Sequence, residues 1–330
     1  MSLFIGCDLG GTNIKAGLVD LQAGNVILAK SSPTHGQNSP EDVMRRMADL
    51  INEIILTGGY TNNEIMAVGV SAPGLLDLDT GHTLFITNLA GHWINVPLEK
   101  TLRDILHLPV FILNDVRAIT LGEHTFGAGR GTTNMACLAI GTGIGGGIIV
   151  NGQLELGIQG QAGELGHITI DINGPRCACG NNGCVEAFAA APAIANYGVK
   201  AVQQGQVTLI GDLADYDLNK ITPKLIAEAA QHEDEIASQI WEDVGHYIGT
   251  AVANTIVTFN PTRIVISGGV ASAGELLLKP IRETIKKRVF LVPLDEIEVI
   301  QGELGNEAGI LGMAKWASLR YEAEFPSQSH

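Results

Sequence analysis

Short apolar runs and a few strongly punctuated polar stretches divide the chain. Phe4 to Asp8 and Ile14 to Val19 are apolar, and Gly10-Gly11 between them signals a turn, so the two runs predict a β-hairpin. Its tip, Asp8-Leu9-Gly10-Gly11-Thr12-Asn13, gathers an acid, glycines and a hydroxyl in one tight bend. Ser31 to Ser39 reads as a polar loop. Ser39-Pro40-Glu41-Asp42 then supplies an N-cap, a proline at the first helical position and acids in the first turn. The helix so begun runs to about Leu56, with Val43, Met47, Leu50, Ile51 and Ile54 on one face. Ala67 to Val70 and Val110 to Leu113 read as buried strands, and strands alternating with helices predict an α/β fold with a mostly parallel sheet.

The N-terminal pattern returns in mid-chain. Met135 to Ile140, the turn Gly141-Thr142-Gly143-Ile144-Gly145-Gly146-Gly147, and Ile148 to Val150 repeat the order strand, Gly/Thr turn, strand, which predicts two related halves. A boundary is expected near Asp115 to Arg130, giving a smaller N-terminal α/β domain of residues 1–116 and a larger one of residues 117–330. The second half adds a helical stretch capped by Thr222, opened by Pro223 and running to about Thr258. The strand Arg263 to Ser267 follows and ends in Gly268-Gly269. A last helix, about Glu307 to Tyr321, carries Ile310, Leu311, Ala314 and Ala317 at helical spacing, and its pattern does not show where it docks.

Charge narrows the choice of partners. The 330 residues hold 20 Lys+Arg against 35 Asp+Glu, a net charge of −15, so a nucleic-acid backbone, which needs a basic face, is not an expected partner. Hydrophobic residues make up 45% of the chain, which excludes disorder, and the 41 glycines exceed the usual share of about 7% and need a purpose. No basic n-region or cleavage site precedes the first strand, and the most apolar stretch, Cys137 to Val150, is too short and glycine-rich to span a bilayer. A cytoplasmic protein with no membrane partner is expected. Cys7 and Cys137 sit inside apolar runs and read as buried small side chains, whereas Cys177, Cys179 and Cys184 crowd together.

Three groups of residues could carry chemistry. Each Gly/Thr tip can offer backbone N–H groups and a hydroxyl to an anion, or can be an ordinary hairpin; facing each other, the two would clamp a polyphosphate. Neither fits the P-loop, which ends in Gly-Lys-Ser/Thr, nor the dinucleotide fingerprint, in which a helix follows the glycines. Asp8 beside Gly10 and Thr12 is suited to hold Mg²⁺ through water. His167 followed by Cys177-x-Cys179-Gly180-x-x-Gly183-Cys184 predicts a closed, structural Cys₃His zinc site, a cluster of free thiols being the alternative. Such a metal would fix Glu164 and Glu186 in place, the rigidity a polyhydroxyl ligand needs. Asn114-Asp115 closes a strand and opens a helix, so Asp115 is either a helix cap or a general base at the carboxyl end of a strand. Asn88 and the Gly74 turn in Ser71-Ala72-Pro73-Gly74 are further loop-borne candidates.

Taken together, these motifs resemble the ROK family of sugar kinases over almost the whole chain. The carrying segments are Asp8-Leu9-Gly10-Gly11-Thr12, Asn114-Asp115, Gly141 to Gly147, Gly163-Glu164-Leu165-Gly166-His167 and Cys177 to Glu186. Ser267-Gly268-Gly269-Val270 and Leu304-Gly305-Asn306-Glu307-Ala308-Gly309 are similar as well. The resemblance implies an actin-like ATPase fold of duplicated, ribonuclease H-like domains, with the zinc-bound loop in the cleft and the C-terminal helix, about 307–322, packed back on the first domain. Carried over, the catalytic base falls on Asp115 and the sugar ligands on Gly74, Asn88, Asn114, Asp115, Glu164, His167 and Glu186. Zinc falls on His167, Cys177, Cys179 and Cys184, and Mg²⁺-ATP on Asp8, Gly10, Gly11, Thr12, Asn13, Lys15, Gly141, Thr142, Gly143, Gly268 and Gly269. The implied activity is ATP-dependent phosphorylation of a hexose, glucose first, with N-acetylmannosamine or fructose as alternatives and a catalytically silent sugar sensor as the reading from another class. Polyphosphate is the lesser alternative donor, and a homodimer or homotetramer is implied. The chain departs from the family at Val116-Arg117-Ala118-Ile119, where small residues are usual, and at His92 in Asn88-Leu89-Ala90-Gly91-His92-Trp93. Neither departure falls on an assigned site residue. Family members that are repressors carry an N-terminal helix-turn-helix, which is not expected where only Met1-Ser2-Leu3 precedes the first strand.

Overall fold

The computed structural model describes residues 2–86 and 89–326, and the chain forms two compact units. Unit 1 takes Met1–Gly131, Leu154–Ala162 and Asn306–His330, and unit 2 takes Thr132–Gln153 and Gly163–Gly305. The chain therefore divides after Gly131 rather than after residue 116, because the helix that follows Asp115 packs within unit 1.

Unit 1 opens with the expected hairpin. Strands β1 (Leu3–Leu9) and β2 (Asn13–Asp20) pair antiparallel, and β3 (Asn25–Pro33) extends the meander, so Ser31 to Pro33 belong to a strand and not to the loop the sequence suggested. Helix α1 (Pro40–Thr57) starts where Ser39 Oγ accepts the Asp42 N–H, and Val43, Met47, Leu50, Ile51 and Ile54 are all buried. It leads to β4 (Ile65–Ala72), which lies parallel to β1. A small ribbon, β5 (Leu75–Asp77) with β6 (His82–Phe85), and α2 (Leu98–Leu106) precede β7 (Val110–Asn114), which is parallel to β4, and α3 (Asp115–Phe126). The sheet order is β3-β2-β1-β4-β7. The register sets Asp8 beside Ser71 and Ala72 beside Asn114, so polar residues collect at the carboxyl ends of three parallel strands.

Unit 2 repeats that plan. Strands β8 (Met135–Ile140) and β9 (Ile144–Val150) form a hairpin, β10 (Gln153–Leu154) extends it, and a 3₁₀ turn spans Leu165–His167. Helices α4 (Val185–Ala189), α5 (Ala191–Gln203), α6 (Leu209–Leu213), α7 (Pro223–Gln231) and α8 (Glu235–Phe259) follow, then β11 (Arg263–Ser267), α9 (Glu275–Arg288) and β12 (Glu298–Gln301). The sheet order β10-β9-β8-β11-β12 has the same sense as the first: a three-stranded meander followed by two parallel strands. Two corrections arise here. The glycine run is a turn only as far as Gly143, and Ile144 to Gly147 already belong to β9. The long helix from Thr222 is two helices, broken where Glu233 turns left-handed (φ 62°) and Asp234 caps α8 by accepting the Ala237 N–H at 2.7 Å.

The last helix, α10 (Ala308–Glu324), returns to unit 1, where it packs against β1, β4 and α3. It is buried nearly all round, from Ala308 through Met313 to Ala317. Glycine makes that possible: a Cβ on Gly6 of β1 would lie 1.9 Å from Ile310 O, and one on Gly69 of β4 2.1 Å from Met313 O. Trp316 Nε1 donates to Ile112 O at 2.9 Å and locks the helix to β7. Cys7 and Cys137 are fully buried, as their apolar surroundings predicted. Among the described residues no helix is long and apolar enough to cross a membrane.

Candidate active site

The first cluster stands at the carboxyl end of the unit 1 sheet. Asp8, next to last in β1, accepts the Ser71 hydroxyl on Oδ1 at 2.7 Å, which leaves Oδ2 for a cation or its water. Burial holds the Asp8 carboxyl above its ordinary range, against the pull of the Ser71 bond and of Lys15, its cross-strand neighbour. Lys15 Nζ in turn donates to Asn306 Oδ1 at 2.8 Å, just ahead of α10. The tip itself is a tight loop in which Gly10 N–H donates to Asn13 O at 3.1 Å. Thr34 straps it from β3's end, its Oγ1 donating to Gly10 O at 2.7 Å and its N–H to Thr12 O at 2.8 Å. Gly10 is needed there for close approach, since a Cβ would lie 2.7 Å from Asn13 O; its φ is not left-handed. Gly11, Thr12 and Asn13 are exposed.

Asp115 occupies the first turn of α3, and the cap of that helix is its neighbour. Asn114 Oδ1 accepts the N–H groups of Val116 and Arg117 at 3.1 and 3.3 Å, and its Nδ2 donates to Gly74 O at 3.2 Å. Asn114 thus ties the Gly74 turn, left-handed at φ 83°, to the start of α3. Burial first, and then the charge of Asp8, push Asp115 up to about 6; the Val116 N–H and the Arg117 guanidinium pull the other way. A carboxylate poised there can accept a proton near neutral pH. Arg117 is itself buried and its Nη2 donates to Ala162 O at 3.0 Å, so this departure from the family does reach the assigned base by its charge.

Unit 2 holds the second tip and the cysteines. Gly141 N–H donates to Gly143 O at 2.8 Å, the same kind of closure as in the first tip. Gly268, at φ 83°, lies against it: a Cβ there would sit 2.5 Å from Ile140 O. Gly268 and Gly269 are exposed beside this turn. The segment Gly163 to His167 runs so close over β9 that a Cβ on Gly166 would be 1.7 Å from Ile144 O, and one on Gly146 2.5 Å from Gly163 O. These glycines bring Glu164, which is exposed, and His167 over the strand that leaves the tip.

His167, Cys177, Cys179 and Cys184 converge, with ligand atoms all within 4.8 Å of one another. Cys179 Sγ is 3.7 Å from Cys184 Sγ, and Cys177 Sγ is 3.7 Å from His167 Nδ1. The loop that carries them turns back through Cys177 N–H to Asn181 O at 2.8 Å, and Gly183 passes so near Asp171 O that a Cβ would lie 1.6 Å away. Burial pushes the Cys177 thiol up to about 12, whereas the Asn181 N–H holds exposed Cys179 below its ordinary value. Such a donor set could hold a metal ion. Glu186, in α4, points Oε1 to within 3.4 Å of Cys177 Sγ and accepts the Ile144 N–H on Oε2 at 2.8 Å.

The residues assigned from the sequence thus gather as Asp8, the first tip, Lys15, Gly74, Asn114 and Asp115 in unit 1, and as the second tip, Glu164, His167, Glu186, the cysteines, Gly268 and Gly269 in unit 2. Asn88 lies outside the described residues. Sequence reasoning quoted Ser71 and Asn306 within longer segments without giving either a role, and passed over Thr34. Ser71 had a signal, a hydroxyl at the end of a buried strand run, whereas the other two act only through long-range contacts.

The family model described as ROK family matches residues 4–320. A glucokinase of Thermotoga maritima is 38% identical over 94% of this chain and 95% of its own. A xylose repressor of Caldicellulosiruptor bescii is 32% identical over 93% of this chain but only 76% of its own. The crystal structure of a ROK family glucokinase from Streptomyces griseus, in complex with glucose and AMPPNP, superposes with a TM-score of 0.84 at 31% identity, covering 96% of this chain and all of that one. By near-complete coverage in both sequence and fold, this chain belongs to the ROK family.

Proposed function

We propose that this protein is an ATP-dependent sugar kinase that transfers the γ-phosphoryl group of ATP to glucose, giving glucose 6-phosphate. The observation that carries the reading is Asp115: a carboxylate at the carboxyl end of a parallel strand, raised to about 6, in a chain that matches glucokinases over nearly its whole length. Asp115 accepts the proton of the sugar hydroxyl as that oxygen attacks the γ-phosphorus, and the β–γ bridging oxygen leaves on ADP. The backbone N–H groups and hydroxyls of the Gly10–Asn13 and Gly141–Gly143 tips hold the phosphates, and Gly268-Gly269 borders the adenine. Asp8 would hold Mg²⁺, which when bound would supply positive charge against the phosphates. Glu164, His167 and Glu186 bind the sugar hydroxyls.

The Cys/His cluster is read as a structural zinc site. A tetrahedron with sulfurs ~2.3 Å from its centre has sulfur–sulfur edges of ~3.8 Å, and the 3.7 Å between Cys179 Sγ and Cys184 Sγ fits one such edge, with all four ligand atoms within 4.8 Å of one another. His167 would ligate through Nδ1, the atom that faces Cys177, which would leave Nε2 available to a sugar hydroxyl. Four protein ligands leave no place for a substrate water, so the ion's work is to keep Glu164, His167 and Glu186 in register.

Release of ADP from Mg²⁺-ATP, measured across glucose, N-acetylmannosamine, mannose and fructose with Asp115→Asn as the blank, tests the reading. Turnover led by glucose is expected; turnover led by another sugar would keep the mechanism and change the substrate. The likeness to a repressor favours a second reading, a sugar sensor. Tight sugar binding with no ADP release would replace the kinase by that sensor.

A further inference from the structure

Glu186 has two oxygens in two different places. Oε1 lies 3.4 Å from Cys177 Sγ, on the side of the Cys/His cluster, while Oε2 accepts the Ile144 N–H at 2.8 Å. Ile144 is the first residue of β9, directly after Gly143, so that bond closes the end of the second Gly/Thr tip. The tip has been shaped around it. A Cβ on Gly143 would lie 2.6 Å from Glu186 Oε2, so any larger residue there would meet the carboxylate. The chain is held from the other side as well, because Gly141 O accepts the Ala191 N–H at 2.8 Å, just beyond α4, the helix that carries Glu186. The tip therefore owes its shape to an element anchored by the cysteine loop through Cys184, the residue that caps α4.

We infer that Glu186 is a positioning residue for the nucleotide: by holding Ile144 it sets the Gly141–Gly143 tip, so that one side chain serves both the sugar side and the phosphate side of unit 2. The inference rests on the reading of that tip as a phosphate grip. A carboxylate that only bound sugar would have no effect on nucleotide affinity measured without sugar. One that also holds Ile144 links the two, since whatever displaces it disturbs the phosphate grip.

The test is the affinity of the full chain for Mg²⁺-AMPPNP in the absence of sugar, and for glucose in the absence of nucleotide, by titration calorimetry. Glu186→Ala should weaken nucleotide binding about tenfold, the scale of one hydrogen bond to a charged group. Glu186→Gln keeps an oxygen for Ile144 N–H, so it should bind nucleotide within about twofold of the unaltered protein while still losing sugar affinity. Gly143→Ala leaves the carboxylate in the chain but displaces it, and should weaken both ligands together. Metal content and melting temperature, measured on each variant, establish that unit 2 is folded. Nucleotide affinity unchanged in both Glu186→Ala and Gly143→Ala would overturn the inference alone. No binding of Mg²⁺-AMPPNP by the unaltered protein would overturn the phosphate-grip reading, and the inference with it.

Discussion

Asp8 lies at the penultimate position of β1 and Asp115 directly follows β7, two strands of one sheet, and the negative charge of Asp8 raises the pKa of Asp115. Burial supplies the larger part of that rise, and together they bring Asp115 to about 6. A base must be ionised to act, so kcat at saturating glucose is expected to fall as pH drops through about 6 and to level off above it. Asp8→Asn removes the repelling charge, and the acid limb of its residual activity should move to lower pH. A profile flat through pH 6 would remove Asp115 from the proton-transfer step.

The same shift has a consequence for stability. Asp115 has a folded-state value of about 6 against 3.8 for the free side chain, so its contribution is fully present below about pH 4 and lost as pH rises through 6. At pH 7 the buried charge is a burden that Asp115→Asn relieves. This variant should lose turnover by on the order of 10² or more. Yet it should unfold at higher temperature at pH 7, by about 1–3 kcal/mol of added stability, with the gain gone near pH 4. Scanning calorimetry at the two pH values reads the difference directly.

Elemental analysis of protein purified without added metal is expected to find zinc. A structural site of this kind is worth roughly 10 kcal/mol or more in isolated peptides, but in a chain with its own two cores the loss should be local. Cys177→Ala should therefore weaken glucose binding by about tenfold or more while the unit 1 core melts as before. Zinc-free protein, or unchanged sugar affinity in Cys177→Ala, would end the zinc reading.

Two glycine variants separate packing from chemistry. Gly166→Ala places a Cβ 1.7 Å from Ile144 O, which lifts the segment bearing Glu164 and His167 off β9, so KM for glucose should rise about tenfold or more with a smaller change in melting temperature. Gly6→Ala places one 1.9 Å from Ile310 O, under α10, and should cost about 1–3 kcal/mol or more of stability. Steady-state kinetics and thermal melts on both variants should show these opposite patterns.

Local signals in this chain were legible from sequence. The Ser39-Pro40 start of α1, the strands Arg263–Ser267 and Met135–Ile140, and the buried Cys7 and Cys137 follow from capping, periodicity and hydrophobic runs, all properties of neighbours in the chain. The repeat of a Gly/Thr hairpin likewise predicted two related halves; that their sheets share one order is a finding of the structure. The motif set as a whole pointed to the family, because the acid, glycine and cysteine spacings occur together and in order along one chain.

What needed the tertiary structure were contacts between residues far apart in sequence. The divide after Gly131 depends on α3 and α10 packing together, and nothing in the amphipathic pattern of α10 named its partner. The glycine run past Gly143 read as a turn because glycine is permissive, yet Gly145 to Gly147 are strand residues, and the missing Cβ of Gly146 admits the segment from Gly163. Asp115 could have been a cap or a base, and the hydrogen bonds of Asn114 give the cap to Asn114. Sequence by itself determined which residue types, at which spacings, were available for phosphate, sugar and metal. Burial and close backbone approach, which depend on the whole fold, decided that Asp115 has a raised pKa and that Glu186 serves the second tip as well as the cysteine cluster.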